Sequence, residues 1–302
     1  MRHAAFLEDG VHKGICPHAY HTWELIKERP ETGPISNSEL KDFANKGALG
    51  WRHSERKKSS NAMAWGSLVD SLLFTPGVEE FVFKEDNPHL STNGRALSKA
   101  AKLWENDQIL EAKTIVSEAH FEAAEVAVAR LKETPVSAKI LEGADYQVGL
   151  VYTADHGIPT KGLVDVLPHE LDSDDCIADL KTTAANLYSD SDLARQCGKF
   201  GYHVQAALYL YLYNKITSDY RNRWKIIWQS SSAPYEVRVT ELPQEWIDAG
   251  KAYIRYHMPR FIRAIKSHRF RSAFSKAETY LPMHASALYA EENQMELLSI
   301  VE

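Results

Sequence analysis

Short apolar runs bounded by polar turn residues fill the part of the chain between residues 145 and 183. Val, Ile and Leu dominate these runs, and their length and borders are typical of buried strands. They predict strands at 146–153, 161–167 and 176–181. A further pair of runs, at 223–229 and 235–242, predicts a second hairpin. The hydrophobic pattern thus predicts a central sheet of about five strands.

Apolar residues at helical spacing lie on both sides of these strands in the sequence. The first predicted helix opens at Ser36, an N-cap residue with Glu39 at the capping-box position, and continues to about residue 45. The other helices are predicted at about 60–74, twice or three times within 95–141, at about 192–215, and from Pro243 to about 267. Together the elements predict an α/β fold, with a central mixed sheet flanked by helices and an N-terminal helical layer.

The same pattern divides the chain into three parts. Residues 1–33 are repeatedly interrupted by glycine and proline and are predicted to be an irregular N-terminal segment. Residues 34–282 contain the periodic segments and are predicted to form a single domain. Residues 283–302 end in acids and are predicted to be an acidic C-terminal tail.

Three charged residues interrupt the otherwise apolar strands. Asp165 lies near the end of the second predicted strand, and Asp179 and Lys181 lie in the third. Because strand side chains alternate, Asp179 and Lys181 project from one face, about 7 Å apart along the strand. If the two strands pair as a hairpin, Asp165 joins them. Two carboxylates beside an ammonium suit Mg²⁺-dependent cleavage of a phosphodiester, although a charged pair at a solvated edge is the simpler alternative.

The order of these residues resembles the core of PD-(D/E)xK nucleases, and several other segments extend the likeness. Gln205 and Tyr209 lie one helical turn apart after the Asp-x-Lys strand, as in the RecB-like branch of that superfamily. Residues 35–40 resemble the ISxSxL opening of exonuclease VIII (RecE)-type recombination nucleases. Residues 64–76 resemble their Gly-x-x-x-His-x-x-x-x-x-Pro helix, and residues 232–237 resemble their post-core hairpin. The resemblance spans roughly residues 30 to 265, with the motifs in the family's order.

The resemblance implies a role for each of these side chains. Mg²⁺, for which Mn²⁺ can substitute, would be held by Asp165, Asp179 and the backbone carbonyl of Leu180. Asp70 stands where the related nucleases carry a histidine and is expected to be a further metal ligand. The expected catalytic residues are Asp165, Asp179, Lys181, Gln205 and Tyr209. Gln205 and Tyr209 can also be packing residues of an Ala-rich helix.

The resemblance also implies a function and partners. We expect a Mg²⁺-dependent DNA exonuclease that degrades one strand from double-stranded ends, 5′ to 3′, and leaves a 3′ single strand for recombination. Its expected partners are double-stranded DNA ends and a single-strand annealing recombinase. The relatives form rings through which DNA threads, so a homo-oligomeric ring is expected as well. The alternatives are a structure-specific endonuclease of the same superfamily and a catalytically silent DNA-binding module.

The amino-acid composition limits the classes of protein that the chain can belong to. The 302 residues include 41 acids against 35 Lys and Arg, a formal net charge of −6, which disfavours a protein that simply coats DNA. A nuclease can still carry a locally basic groove on an acidic exterior. Basic residues form two clusters, which are either solvated faces or DNA contacts: Arg52, Arg56, Lys57 and Lys58, then Arg255, Arg260, Arg263, Lys266, Arg269 and Arg271.

Other features exclude competing classes. The three widely spaced cysteines, Cys16, Cys176 and Cys197, disfavour a disulfide framework, a zinc ribbon or a four-Cys iron–sulfur cluster. No apolar run approaches the roughly 18 residues of a membrane span, and no signal peptide is recognised, so a cytoplasmic protein without membrane contact is expected. The sequence has no P-loop, dinucleotide-binding, zincin or nucleophile-elbow motif, which leaves NTPases, nicotinamide enzymes and serine hydrolases without support.

Overall fold

The structure, a computed structural model, describes residues 8–15, 20, 33–55, 60–96, 98–111, 113–169 and 176–272. Strands in this part of the chain are β1 Gly10–His12, β2 Ile35–Ser36, β3 Phe81–Phe83, β4 Thr114–Val116, β5 Asp145–Thr153, β6 Pro159–Leu167, β7 Cys176–Thr183, β8 Arg223–Ser230 and β9 Val237–Glu241. Helices are α1 Asn37–His53, α2 Asn61–Phe74, α3 Lys99–Leu110, α4 Glu118–Glu133, α5 Pro135–Leu141, α6 Asp190–Phe200, α7 Tyr202–Ile216 and α8 Gln244–Ser267, with a 3₁₀ turn at Lys84–Asp86.

The main sheet is mixed. Its strand order is β1-β5-β6-β7-β8-β9, and β2 pairs in parallel with β6 off this path. β7 and β8 run parallel, because α6 and α7 form the crossover between them, whereas β5, β6 and β7 are successively antiparallel. Helices cover both faces, so the predicted α/β fold with a central mixed sheet is confirmed. The five predicted strands are β5 to β9, and the short β1 and β2 extend the sheet.

Three apolar clusters hold the layers together. One lies between α7 and one face of the sheet, and it includes Val148, Val164, Ile177 and Trp228. A second lies between the opposite face and the helices α2 and α4, with Val166 and Ala178 among its members. The third joins α1 to the C-terminal half of α8, where Phe261 stacks on Phe43 at 4.5 Å and Trp51 packs edge-on against Phe261 at 4.7 Å.

The start of α1 combines a confirmed cap with an unexpected partner. The Ser36 hydroxyl accepts a hydrogen bond from the Glu39 backbone N–H at 3.3 Å, as the N-cap prediction required. The Glu39 carboxylate accepts a hydrogen bond from Trp51 Nε1 at 2.5 Å. Glu39 therefore links the two ends of α1, which is interrupted at Gly47 with φ 69°.

Several element predictions need correction. The predicted helix at 192–215 is two helices, α6 and α7, because the chain turns at Gly201, whose φ of 65° suits glycine. Residues 1–33 are not wholly irregular, since β1 pairs antiparallel with β5. β3 and β4 form a separate two-stranded parallel sheet; the helical interpretation of 95–141 missed β4, and no strand was predicted at β3. The proposed acidic tail, Cys16 and the cluster Arg56, Lys57 and Lys58 lie outside the described residues.

The length and hydropathy of the helices bear on membrane contact. In the part of the chain that the structure describes, no helix is both long enough and apolar enough to cross a lipid bilayer.

Candidate active site

The adjacent strands β6 and β7 bring the predicted acids together. They pair antiparallel with Val166 opposite Ala178, so Asp165 and Asp179, the next residues along the two strands, are neighbours. Their carboxyl groups are close enough for the charge of Asp179 to raise the pKa of Asp165. The pairing of these two strands as a hairpin, on which the predicted convergence of the acids depended, is therefore present.

Asp179 is held on both of its oxygens. Its side chain is 1% exposed. Oδ1 accepts a hydrogen bond from Gln205 Nε2 of α7 at 2.8 Å, and Lys181 Nζ lies 2.5 Å from Oδ2 in an ion pair. Asp179 is therefore oriented from two elements, because Lys181 lies on the same strand, β7, and Gln205 lies on the covering helix, α7.

Asp165 is held by backbone and by an amide. Its Oδ2 accepts a hydrogen bond from the Leu180 backbone N–H at 3.1 Å, and Gln147 Nε2 of β5 lies 3.4 Å from Oδ1. In a strand, the N–H and C=O of one residue point to the same side. The Leu180 carbonyl, predicted as a metal ligand, consequently faces the same gap between β6 and β7 that Asp165 enters.

Side-chain alternation inverts at Asp165 and at the facing residue of β5. Val164 packs under α7, whereas Val166 packs under α2 and α4, although residues two apart in a strand normally share a face. β5 behaves in the same way around Gln147: Val148 packs under α7 and Tyr146 on the opposite side. Gln147 has φ 48°, a left-handed conformation that costs a non-glycine residue roughly 1–2 kcal/mol. The inversion directs the Asp165 carboxylate along the sheet, toward β7.

Packing of α2 on the opposite face of β7 brings Asp70 near the acids. A Cβ added to Gly66 would lie 3.1 Å from Thr182 Oγ1, so the helix approaches the strand closely there. Asp70, one turn further along α2, is half-buried and feels the charges of Lys181 and Asp179. Asp70 is thus close enough to the acids for their charges to interact, and its role as a metal ligand stays a prediction.

Burial and mutual repulsion shift the pKa values of these groups. Burial raises the pKa of Asp165 well above its ordinary value, the Asp179 charge raises it further, and Lys181 offsets part of this. Burial also raises the pKa of Asp70 to about 7, against the attraction of Lys181 and with added repulsion from Asp179. Burial lowers the pKa of Lys181, but the charges of Asp179 and Asp165 raise it by more. The pKa of Lys181 is therefore raised, and Lys181 stays charged. Three carboxyl groups thus share one ammonium, and a bound cation would favour their ionised forms.

The donor set fits Mg²⁺. All candidate ligands are oxygens, and buried Asp179 Oδ2 accepts no hydrogen bond from the described residues, although Lys181 lies beside it. Within the described ranges, no three His, Cys, Asp or Glu side chains are arranged as the ligands of one ion. This is compatible with Mg²⁺, which commonly takes one or two carboxylates and completes its octahedron with water and substrate phosphate. Asp165, Asp179 and the Leu180 carbonyl would hold it.

Tyr209 lies one turn beyond Gln205 on α7, and it is buried. Its ring packs on β6, where a Cβ added to Gly162 would lie 2.9 Å from the ring, and it hydrogen-bonds with the Leu163 backbone. Burial raises its pKa to about 12. These contacts place Tyr209 beneath the site, as a support for β6, and its catalytic role stays a prediction.

Two side chains at the site escaped the sequence analysis. Gln147 faces Asp165. The sequence indicated it only as a polar residue inside an apolar run, which lies opposite the acid when the two strands are paired as a hairpin. Tyr202 begins α7 and places its ring centroid 5.2 Å from Lys181 Nζ. Burial raises the pKa of Tyr202 to about 12, although Lys181 lowers it. Its proximity could be found only after the break at Gly201 was known.

The fold has counterparts among known proteins. The crystal structure of a protein from Eubacterium rectale, provisionally named an exonuclease, is similar with a TM-score of 0.55 and 18% identity, over 92% of this chain and 99% of that one. A phage related exonuclease from Haemophilus somnus 129PT gives a TM-score of 0.31 and 13% identity, over 67% of this chain and 95% of that one. The first likeness shows a shared fold.

Sequence comparison identifies the family. No curated protein sequence matches the chain. Residues 36–279, which include every predicted site residue, match the family described as a PDDEXK-like domain of unknown function (DUF3799). The chain therefore belongs to this PDDEXK-like family.

Proposed function

We propose that the protein is a Mg²⁺-dependent DNA exonuclease that hydrolyses phosphodiester bonds from double-stranded ends. The observation that carries this proposal is the convergence of Asp165, Asp179 and Lys181 in the gap between β6 and β7. The shared fold with a protein provisionally named an exonuclease favours cleavage from ends over internal cutting. The resemblance of the motifs to exonuclease VIII favours 5′ to 3′ degradation and a 3′ single-stranded product.

The residues of the chain divide the work. Mg²⁺, when bound, would lower the pKa of a coordinated water and neutralise charge on the phosphate oxygens. Asp165 and Asp179 would hold it, and Gln205 keeps Asp179 in place through the 2.8 Å hydrogen bond. Lys181, charged and 19% exposed, can turn from Asp179 toward the substrate and stabilise negative charge on the scissile phosphate.

We further propose the partners that this activity requires. A 3′ single strand is a substrate for a single-strand annealing recombinase, which would act directly after the nuclease. A homo-oligomeric ring would let an acidic protein enclose DNA in a locally basic channel. The exposed basic residues of α8, from Arg255 to Lys266, are available for such a channel.

The experiment compares linear and covalently closed circular duplex DNA in Mg²⁺, in Mn²⁺ and in EDTA. We expect degradation of the linear form alone, and none in EDTA. Asp179→Asn and Lys181→Ala should each lower the rate about 10²–10³-fold, because each removes a group at the place where charge develops. Asp107→Asn, the same change as the first at an exposed position of α3, is the matched control.

Each result separates the alternatives. Cleavage of the closed circle would show an endonuclease, and binding without cleavage of either form would show a silent DNA-binding module. Wild-type rates in both folded active-site variants would refute the assignment of the site.

A further inference from the structure

We infer that the exposed ring of Phe200, stacked on Tyr202 beside Lys181, binds an unpaired nucleobase next to the bond that is cleaved. This inference rests on the proposed function and adds a substrate class to it: DNA with unpaired nucleotides at the site. The two rings are called the aromatic platform below. Three sets of contacts support the inference.

The aromatic platform begins at the candidate catalytic lysine and ends in solvent. Lys181 Nζ lies 5.2 Å from the Tyr202 ring centroid. The Phe200 ring stacks on Tyr202 with 5.8 Å between centroids and 24° between planes. Phe200 is 44% exposed, whereas Tyr202 is half-buried and packs 5.9 Å from Trp228. One aromatic face therefore continues from the lysine to the surface, where a further flat ring can stack.

The backbone holds Phe200 in this position. It is the last residue of α6, and Gly201 turns the chain in the left-handed conformation before Tyr202 begins α7. Lys41 of α1 donates a hydrogen bond from Nζ to the Phe200 carbonyl at 2.7 Å, and its side chain lies against Gly201. A neighbouring element thus fixes the junction, so the exposed ring is not at a frayed helix end.

Three lysines lie close to the aromatic platform. Lys199 Nζ lies 5.2 Å from the Phe200 ring centroid, Lys41 Nζ bonds the Phe200 carbonyl, and Lys181 Nζ lies 5.2 Å from the Tyr202 ring centroid. Aromatic rings among cationic side chains are the combination with which proteins hold single-stranded nucleic acid: bases stack on the rings while the cations attract the phosphates. A solvent-exposed phenylalanine alone would be unremarkable. Its place between the catalytic lysine and two further lysines is what favours a nucleotide.

The test separates stacking from general DNA binding. Fluorescence anisotropy would measure affinity for a labelled 12-nucleotide single strand and for a strand of the same length whose sugars carry no bases, in Ca²⁺ to limit turnover. Loss of base stacking on an aromatic ring typically weakens binding roughly tenfold. Phe200→Leu should weaken binding of the intact strand about tenfold and leave the baseless strand unaffected. Phe200→Trp should retain wild-type affinity.

Tyr220→Leu is the matched control, because Tyr220 is an exposed ring (68%) that precedes β8, at the end of the sheet opposite Thr183 and Ser230. It should change neither affinity. Equal losses on both strands in folded Phe200→Leu, or no loss on either, would overturn the aromatic platform. If the wild type binds as expected but does not cleave in Mg²⁺, the proposed function fails while the binding comparison still decides the platform. If it binds neither strand but degrades linear duplex in Mg²⁺, the platform fails while the proposed function stands.

Discussion

Asp70 shows at the scale of one residue how the fold controls charge. Burial and repulsion from Asp179 raise its pKa from 3.8 to about 7, with Lys181 offsetting part of the rise. Between these two pH values the unfolded chain releases a proton that the folded protein retains. Stability of the metal-free protein should therefore fall as pH rises through this window.

The first prediction concerns Asp70→Asn, which removes the titrating carboxyl group and with it the loss of stability at higher pH. In EDTA, thermal unfolding of the variant should show a gain in free energy of unfolding that is about 1–2 kcal/mol larger at pH 8 than at pH 5. This gain is smaller than the free energy that corresponds to the full pKa shift, because solvent screens the charge of a half-buried group. Asp155→Asn, at an exposed turn, should show no such pH dependence. Equal gains at the two pH values would contradict the assigned charge state.

Functional residues were predictable from the sequence where a charged side chain interrupts an otherwise apolar segment. An acid and a lysine inside an apolar strand have few explanations, and for this reason Asp165, Asp179 and Lys181 could be identified. Gln147 carried a weaker signal, a polar residue in an apolar run, and its role depends on a φ of 48° and on the strand opposite. The ion pair between Lys181 and Asp179 was not predictable, because alternation fixes a shared face but not the rotamers that bring Nζ to 2.5 Å.

At the scale of elements, the packing of α7 against α8 depends on one glycine. A Cβ added to Gly250 would lie 2.2 Å from the His203 carbonyl oxygen and 2.8 Å from Ala207 Cβ, so the two backbones nearly touch. Because α7 carries Gln205, this contact also fixes the helix that orients Asp179.

The second prediction follows from this contact. Gly250→Ala should lower the free energy of unfolding by about 3 kcal/mol, since neither backbone can move aside without disturbing the core. Gly198→Ala in α6 is the control: its added Cβ meets nothing closer than Trp246 at 4.0 Å, and alanine should stabilise the helix by up to about 1 kcal/mol. Urea unfolding of both variants would measure the difference. Matching stabilities would show that α8 can shift.

Long elements were predictable because their periodic patterns are strong, and β5 to β8 begin or end within a few residues of expectation. Short ones were not. β1 to β4 have two or three residues each, which is too short for an alternating pattern to be recognised in the sequence. They form because they pair with strands that are distant in the sequence. The break between α6 and α7 left no gap in the apolar pattern, so one glycine among helix formers was passed over.

At the scale of the whole molecule, the net charge of −6 conceals a basic face. Arg263 and Lys266 line an open groove on α8 together with His156 of the β5–β6 turn. α8 packs on α7, so this groove lies on the side of the sheet to which Gln205 and Lys181 belong. Under the proposed function, the groove would contact phosphates of the bound duplex.

The third prediction concerns salt. Removing one phosphate-binding cation from a protein lowers the slope of log affinity against log salt by about one. The double variant Arg263→Ala and Lys266→Ala should therefore bind duplex DNA with a slope reduced by about two, measured between about 50 and 200 mM salt. Arg130→Ala with Lys132→Ala, on exposed positions of α4 across the sheet, should leave the slope unchanged. An unchanged slope in the first pair would place the DNA elsewhere.

The inverted alternation at Gln147 and Asp165 has a consequence for how such a site can be gained or lost. Removing Asp165 alone from β6 would restore regular alternation there but shift every later pair of the hairpin by one position. Removing Gln147 and Asp165 together would restore it in both strands and keep the remaining pairs, such as Tyr146 with Val166 and Val148 with Val164. The two residues therefore behave as compensating insertions into an ordinary hairpin. A deletion that removes Asp165 therefore keeps the pairing of the hairpin only when Gln147 is removed with it.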